Sequence, residues 1–299
     1  MPQLEVQNLT KRYGKTVAVD DLSFAVEAGR VTGFLGPNGA GKTTTMRALL
    51  GLLRPSSGEA LVEGSSPVEM RDPLRTIGAA LEATAFHPGR SGRNHLRTLA
   101  AAAGIPRSRV EEVLGMVELS GAADRRVKGY SLGMRQRLAL AAALLGEPRI
   151  LILDEPANGL DPQGMRWLRD LLRDQAAGGR TVLVSSHLLS EVAQTADELV
   201  MIRDGKLVAQ TTLAEFTAGG ANLIRVRASK LEELAAGLGE QGASIERDGQ
   251  EALLIGGVGG EQIGELALAR GIAIHELAPQ QSSLEERFFE LMGEEEEGS

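Results

Sequence analysis

The sequence contains no cysteine and few aromatic residues, and these absences narrow the range of possible functions. Its 299 residues include no Cys, one Trp, two Tyr and six Phe. The lack of Cys excludes disulfide bonds, thiolate metal sites and cysteine nucleophiles. This composition is compatible with a reducing compartment but does not establish one.

Long apolar runs are also missing. No stretch reaches the roughly 18 uninterrupted apolar residues that a transmembrane helix requires, and the amino terminus lacks an apolar core of signal-peptide length. The richest run, Leu138 to Leu145, follows Arg137 directly. We therefore expect a buried helix there and a chain that does not cross a bilayer by itself.

The net charge of −8 argues against a broad nucleic-acid-binding surface, which requires clustered Lys and Arg. The hydrophobic content of 42% is sufficient for a proper core. The length suits one large domain, or a large domain followed by a small one.

Short strand-like runs alternate with helical runs over the first two thirds of the sequence. The predicted strands include Val31–Leu35, Ile150–Leu153 and Thr181–Val184, and the predicted helices include Thr43–Leu50 and Gly164–Gln175. This alternation indicates an α/β fold with a mostly parallel sheet covered on both faces. We also expect an antiparallel β subdomain near the amino terminus and a helical insertion at about residues 83–147.

A second domain is predicted after residue 216. Its strand and helix patterns follow the order βαββαβ, which is typical of a small α+β domain. A final helix is expected at Leu284–Met292, before the acidic run Glu294–Glu297. The predicted domains are therefore 1–216 and 217–299, the latter ending in a solvated acidic tail.

The strongest functional signal is a glycine-rich loop between a predicted strand and a predicted helix. It consists of Gly36, Pro37, Asn38, Gly39, Ala40, Gly41, Lys42 and Thr43. Glycines let backbone N–H groups converge on phosphate oxygens, and a helix N-terminus favours the same anion. We expect Lys42 to reach the β- and γ-phosphates of ATP, Thr43 to bind Mg²⁺ and Thr44 to contact the α-phosphate.

A pair of carboxylates follows the apolar strand Ile150–Leu153. Such a strand delivers Asp154 and Glu155 to one edge of a sheet. Behind a P-loop, Asp154 is expected to hold Mg²⁺ through water, and Glu155 to polarise the attacking water as general base. The alternative is a pair of solvated acids at a strand end.

These two motifs, together with the segment Tyr130–Arg137, resemble those of an ATP-binding cassette (ABC) ATPase. The resemblance extends from about Leu4 to Asp204, and Tyr130–Arg137 occupies the place of the family's signature sequence. The spelling Ser-Leu-Gly-Met and the segment Ser283–Phe288 are similar to the bacitracin- and daunorubicin-type antibiotic-resistance exporters. The resemblance implies the P-loop NTPase fold and an ATP-binding domain at 1–216.

In that family the signature is a second phosphate cradle, which closes on ATP held by another subunit. The resemblance assigns this role to Ser131 and Gly133 at the start of a helix. Leu132 stands where the family more often has Gly, and Met134 replaces the usual polar residue. These departures affect the local geometry of the cradle, while Ser131 also has the pattern of a helix cap.

Three further assignments follow from the resemblance. Tyr13 is expected to stack on adenine, and His187 to contact the γ-phosphate and the attacking water. The loop Asn158–Asp161 is similar to the segment that links the two ATP sites of a dimer. Asp161 should also cap the following helix, with Pro162 at its first position.

The resemblance implies an ATPase that works as a homodimer, or as a heterodimer with a related ATPase. It also implies that this ATPase drives an integral membrane permease that exports drugs, peptide antibiotics or lipids. Its expected location is the cytoplasmic face of the cell membrane, with ATP and Mg²⁺ as ligands and no nucleic acid. The permease is expected to bind just after Glu82, at a surface that includes Phe86–Arg90. The alternatives are a soluble ABC ATPase acting on ribosomes or DNA and a nucleotide-binding regulator without turnover. A single P-loop, the short span from Lys42 to Ser131, and the presence of Glu155 argue against both.

Glu82 occupies the position where the family has a Gln that contacts Mg²⁺ and senses the membrane partner. A carboxylate ligates Mg²⁺ as a charge and repels the γ-phosphate when the metal is absent. We predict that hydrolysis depends more strictly on Mg²⁺ in this chain than in the Glu82→Gln variant. Titration of ATPase activity with Mg²⁺ tests this, and identical titration curves would contradict it.

Overall fold

The computed structural model describes residues 2–81, 86–218, 222–249 and 251–281, together with Phe288, Leu291 and Gly293. The chain divides into two compact units, Met1–Leu213 and Ala214–Ser299. Glu82, most of the predicted helix at 284–292 and the acidic run at 294–297 lie outside the described residues. Within the described part of the chain, no helix is long and apolar enough to span a membrane.

The first unit contains two sheets and the helices that flank them. Its strands are β1 (Leu4–Tyr13), β2 (Thr16–Val26), β3 (Val31–Leu35), β4 (Ser57–Val62), β5 (Ile77–Ala80), β6 (Ile150–Leu153), β7 (Thr181–Ser186), β8 (Glu198–Arg203) and β9 (Lys206–Thr212). Its helices are α1 (Lys42–Leu49), α2 (Pro73–Thr76), α3 (Gly92–Ala102), α4 (Arg107–Met116), α5 (Leu132–Leu144), α6 (Pro162–Ala177) and α7 (Leu189–Val192). Another helix, α8 (Leu213–Ala218), begins at the last residue of this unit.

The larger sheet has the strand order β5-β6-β7-β3-β8-β9. All neighbours in it are parallel except β8 and β9. Every residue of β3, β6 and β7 is buried, as expected for strands covered on both faces. Because these three strands are adjacent and parallel, their carboxyl ends lie at one edge of the sheet.

The smaller sheet is antiparallel, with the order β2-β1-β4. Its apolar side chains share one core with those of the larger sheet and of α1; this core includes Leu4, Leu22, Phe34, Met46 and Ile152. Helices α3, α4 and α5 follow in the chain between β5 and β6 and pack against each other. The first unit therefore has the predicted parallel sheet, antiparallel sheet and helical insertion.

The second unit has the element order βαββαβ in its described residues. Its elements are β10 (Asn222–Ala228), α9 (Leu231–Gly239), β11 (Ser244–Asp248), β12 (Ala252–Gly256), α10 (Gly260–Ala269) and β13 (Ile274–Gln281). The antiparallel sheet order is β11-β12-β10-β13, and α9 and α10 cover a core that includes Val226, Leu238 and Ile263. The predicted fold class is confirmed, although the last strand begins at Ile274 and not at Ile272.

The close approach of β5 to α5 requires a glycine. A Cβ at Gly78 would overlap the carbonyl oxygen of Ala143 and lie 2.7 Å from Pro148 Cγ. We predict that Gly78→Ala lowers the free energy of unfolding by about 3 kcal/mol, because backbone in a packed sheet cannot move aside. Urea unfolding of the full chain measures this loss.

Gly115 in α4 provides the matched control, because a Cβ there would meet nothing within 4 Å. Gly115→Ala should leave the stability unchanged or raise it by about 0.5–1 kcal/mol, since Ala is the better helix former. Equal losses in the two variants would contradict the packing account of Gly78.

Candidate functional site

The P-loop connects β3 to α1 and borders an open cavity of about 190 Å³. Two of its glycines have left-handed backbone conformations, with φ of +86° at Gly39 and +102° at Gly41. A Cβ at Gly41 would also lie 2.5 Å from the Ala18 carbonyl oxygen. Only glycine combines this conformation with so close an approach. The sequence therefore folds into a loop whose backbone N–H groups are available to an anion at the start of α1.

The described residues that line this cavity include most of the predicted ATP-binding set. The lining residues are Ala18, Pro37, Asn38, Gly39, Ala40, Gly41, Lys42, Thr43, Thr44, Asp154 and Glu155. Gly36 lies directly before them, and its carbonyl oxygen accepts a hydrogen bond from Lys42 Nζ at 2.5 Å. The structure thus brings the P-loop together with the carboxylates that follow β6.

Lys42 is buried and satisfied within the protein. Its Nζ donates to the carbonyl oxygens of Gly36 and Pro37 and lies 3.4 Å from Glu155 Oε1. Oε1 itself is buried and has no hydrogen-bond partner among the described residues. The Lys42 ammonium group and the under-satisfied Glu155 Oε1 thus face each other at the cavity. This arrangement is expected where an anion and the water that attacks it are bound.

Asp154 is held by two hydroxyl groups. Thr43 Oγ donates to Asp154 Oδ2 at 2.6 Å, and Ser185 Oγ donates to Asp154 Oδ1 at 2.5 Å. Hydroxyl and carboxylate oxygens are the ligands that Mg²⁺ prefers, and Mg²⁺ is commonly bound by one or two such groups together with substrate phosphates. Thr43 and Asp154 therefore fit a Mg²⁺ ion shared with ATP.

Glu155 is in contact with His187 and with residues of two neighbouring elements, β7 and α5. His187 Nδ1 lies 2.9 Å from Glu155 Oε2. The Glu155 N–H donates to Ser185 Oγ at 2.9 Å, and the Glu155 carbonyl accepts from Gln136 Nε2 at 2.9 Å. Glu155 is thus held in place through both its side-chain carboxylate and its backbone.

The predicted signature residues lie at the start of α5, outside the P-loop cavity. Ser131 is exposed and caps α5 by accepting the Met134 N–H at 3.2 Å. A Cβ at Gly133 would be 3.2 Å from the Gly159 carbonyl oxygen, so Gly133 allows α5 to approach the loop after Glu155. Leu132 is 49% exposed. Ser131 and Gly133 are therefore not brought to the P-loop of their own chain.

The remaining predicted site residues are distributed around this centre. Tyr13 ends β1 and is 47% exposed, with Lys11 Nζ 5.2 Å from its ring centroid, and it does not line the cavity described above. Asp161 caps α6 by accepting the Gly164 N–H at 2.8 Å, with Pro162 at the first helical position. Glu82 lies outside the described residues.

Two residues in this arrangement had no role in the sequence analysis. Ser185 directly follows the predicted strand Thr181–Val184, and Gln136 lies in the signature segment. Both make hydrogen bonds to Asp154 or to the Glu155 backbone. Their spacing in the sequence gives no signal for such contacts, because the partners come from other elements of the fold.

The model of the ABC transporter family matches residues 19–158. The bacitracin transport ATP-binding protein of Bacillus licheniformis is 36% identical over 300 residues, covering 97% of this chain and 97% of the relative. This chain belongs to the ABC transporter ATP-binding proteins.

Other comparisons agree with this assignment. The daunorubicin/doxorubicin resistance ATP-binding protein of Streptomyces peucetius is 35% identical over 304 residues, covering 97% of this chain and 92% of that protein. A solved structure described as the ATP binding subunit of an ABC transporter superposes with a TM-score of 0.66, at 28% identity, over 72% of this chain and 92% of that one. Residues 222–285 match a domain of unknown function, DUF8746. The ABC protein is an ATPase related to the subunits of antibiotic and drug transporters.

We predict that Ser185→Ala weakens the use of Mg²⁺ by this ABC ATPase. The variant removes the hydroxyl that orients Asp154, and loss of such a supporting hydrogen bond typically costs about 10–100-fold in metal affinity. The Mg²⁺ concentration for half-maximal hydrolysis should rise accordingly.

Ser186→Ala is the matched control. The Ser186 hydroxyl contacts Glu191 and the Leu188 N–H and makes no bond to Asp154. Its Mg²⁺ titration should have the wild-type midpoint. A wild-type midpoint in the Ser185 variant as well would contradict the role assigned to Ser185.

Proposed function

We propose that two copies of this chain, or one copy and a related ATPase, close head-to-tail on two ATP molecules and drive a membrane permease. The observation that carries the proposal is the location of Ser131. This predicted phosphate cradle is exposed at the start of α5 and lies outside the cavity that contains Lys42. A cradle that cannot serve its own P-loop is available to the ATP of another copy.

Within each site the residues of this chain have separate tasks. The P-loop backbone and Lys42 bind the phosphates, and Thr44 adds a contact to the α-phosphate. Tyr13 offers its exposed ring to adenine, where it exchanges its contact with Lys11 for the base. When bound through Thr43 and Asp154, with Glu82 as a further ligand, Mg²⁺ neutralises charge that develops on the phosphates.

Glu155 is proposed as the general base. Its carboxylate lies between Lys42 and His187, and it accepts a proton from the attacking water while His187 holds its second oxygen. Ser131 and Gly133 of the opposite copy contact the γ-phosphate from the other side. Asp161 fixes the loop after Glu155 by capping α6. Hydrolysis and loss of the γ-phosphate then remove the contact that Ser131 and Gly133 make with the opposite copy's nucleotide.

The proposed permease contact is the segment Phe86–Arg90. Its backbone is tied to the residues before the signature, since Val127 N–H donates to Arg90 O and Lys128 N–H to Pro88 O. Phe86 packs edge-on against His95 of α3, with ring centroids 4.9 Å apart. A permease element that displaces Phe86–Arg90 would thereby displace the helices that carry Ser131.

The transported molecule is proposed from the relatives alone. Two of them act in bacitracin transport and in daunorubicin/doxorubicin resistance, by their descriptions. We infer an exporter of drugs, peptide antibiotics or lipids, with this ATPase bound to the cytoplasmic side of its permease.

The proposal predicts that ATP joins two copies when hydrolysis is blocked. Glu155→Gln should lower kcat by about 10²–10⁴-fold, because the base is lost while the phosphate ligands remain. With Mg-ATP, the mass of the isolated variant measured by light scattering should double. If the permease is required, the two copies should associate with each other in the complex with the permease.

Adding Ser131→Ala to Glu155→Gln should weaken this ATP-dependent association without changing ATP binding to the single chain. A Glu155→Gln protein that binds ATP but stays monomeric, even with its permease present, would contradict the head-to-tail mechanism.

A further inference from the structure

Glu155 has an unfavourable backbone conformation for a residue with a side chain. Its φ is +47°, in the left-handed region. This conformation costs about 1–2 kcal/mol for an L-residue other than glycine. Such strain persists only where the surrounding structure fixes it. The groups that fix Glu155 therefore also determine the direction of its carboxylate.

Two side chains from different elements hold the backbone of Glu155 on either side. Ser185 of β7 accepts its N–H, and Gln136 of α5 donates to its carbonyl, each at 2.9 Å. The Gln136 side chain is buried, with 7% exposure. Since a buried amide without a partner costs free energy, this hydrogen bond is strongly favoured over a free Gln136.

Helix α5 contacts the same segment a second time, one turn earlier. A Cβ at Gly159 would lie 2.5 Å from Leu132 Cγ, so the Leu132 side chain occupies the space beside Gly159. Gln136, in the second turn of α5, thus holds Glu155. Leu132, the first residue of α5, packs on the loop that follows Glu155. The same helix begins directly after Ser131, its cap.

We propose that Gln136 is a positioning residue for hydrolysis. Its amide fixes the left-handed backbone of Glu155 and thereby aims the carboxylate at the attacking water. Gln136 and Ser131 lie within one helical segment. The residue that contacts the opposite copy's ATP and the residue that positions the base for the chain's own ATP are therefore parts of the same rigid element. This inference rests on the roles proposed above for Glu155 and Ser131.

Gln136→Met tests the role of the amide, because Met has nearly the same length and no hydrogen-bond donor. We expect kcat to fall between about tenfold and a hundredfold through misplacement of the base. The Kd for ATP should remain within about twofold of wild type, since the phosphate ligands are untouched. If the Met variant fails to fold, Gln136→Leu replaces it, because Leu is apolar, similar in volume and also offers no donor.

Gln210→Met is the matched control. Gln210 Nε2 also donates to a backbone carbonyl, that of Ala25 at 2.7 Å, but Gln210 lies exposed on β9 and does not line the P-loop cavity. This variant should have the wild-type kcat. An equal loss in the control would overturn the proposal.

A double-mutant comparison separates positioning of Glu155 from a general structural effect. In a Glu155→Gln background, Gln136→Met should leave the residual single-turnover rate almost unchanged, because the base it positions is already gone. The proposal is overturned by an undiminished kcat in the single variant, or by the full loss persisting in the Glu155→Gln background. If Glu155→Gln itself hydrolyses ATP at the wild-type rate, the proposed function fails instead.

Discussion

The parallel pairing of β6, β7 and β3 is the constraint on which the site depends. Leu153 lies opposite Val184 and Leu35 opposite Ser186, so the three strands end at one edge of the sheet. The P-loop, Asp154 and His187 each follow one of these ends. A slip of one residue in either pairing would turn buried side chains to the opposite face and separate the hydroxyl and carboxylate groups. The chemistry therefore depends on a core of apolar strands that contribute no reacting group.

The helices complete the arrangement in different ways. Helix α1 presents its N-terminus to the P-loop cavity, whereas α5 presents its N-terminus away from it, at Ser131. In the proposed dimer, one chain thus carries the P-loop half of one ATP site and the Ser131 half of the other. The buried contact between Gln136 and the Glu155 carbonyl joins these two halves. In the proposed dimer, this contact would make hydrolysis by one copy depend on ATP bound by the second copy.

The fold class and the P-loop could be predicted from the sequence because both depend on local patterns. Buried parallel strands have continuous apolar runs, and the glycines of the P-loop are required by backbone conformation. The roles of Ser185 and Gln136 could not be predicted, because each binds a backbone or carboxylate group brought near by tertiary packing. For the same reason, the packing of the Leu132 side chain beside Gly159 has no signal in the sequence.

The central claim is that one ATP is held by Lys42 of one copy and Ser131 of the other. Its most direct test mixes two inactive forms, Lys42→Ala and Ser131→Ala, in assemblies with the permease. A mixed pair contains one site whose Lys42 and Ser131 are both intact, on different chains, so we predict that ATP hydrolysis reappears on mixing. A mixture that exchanges subunits and yet hydrolyses no more ATP than the sum of its separate components would contradict the claim.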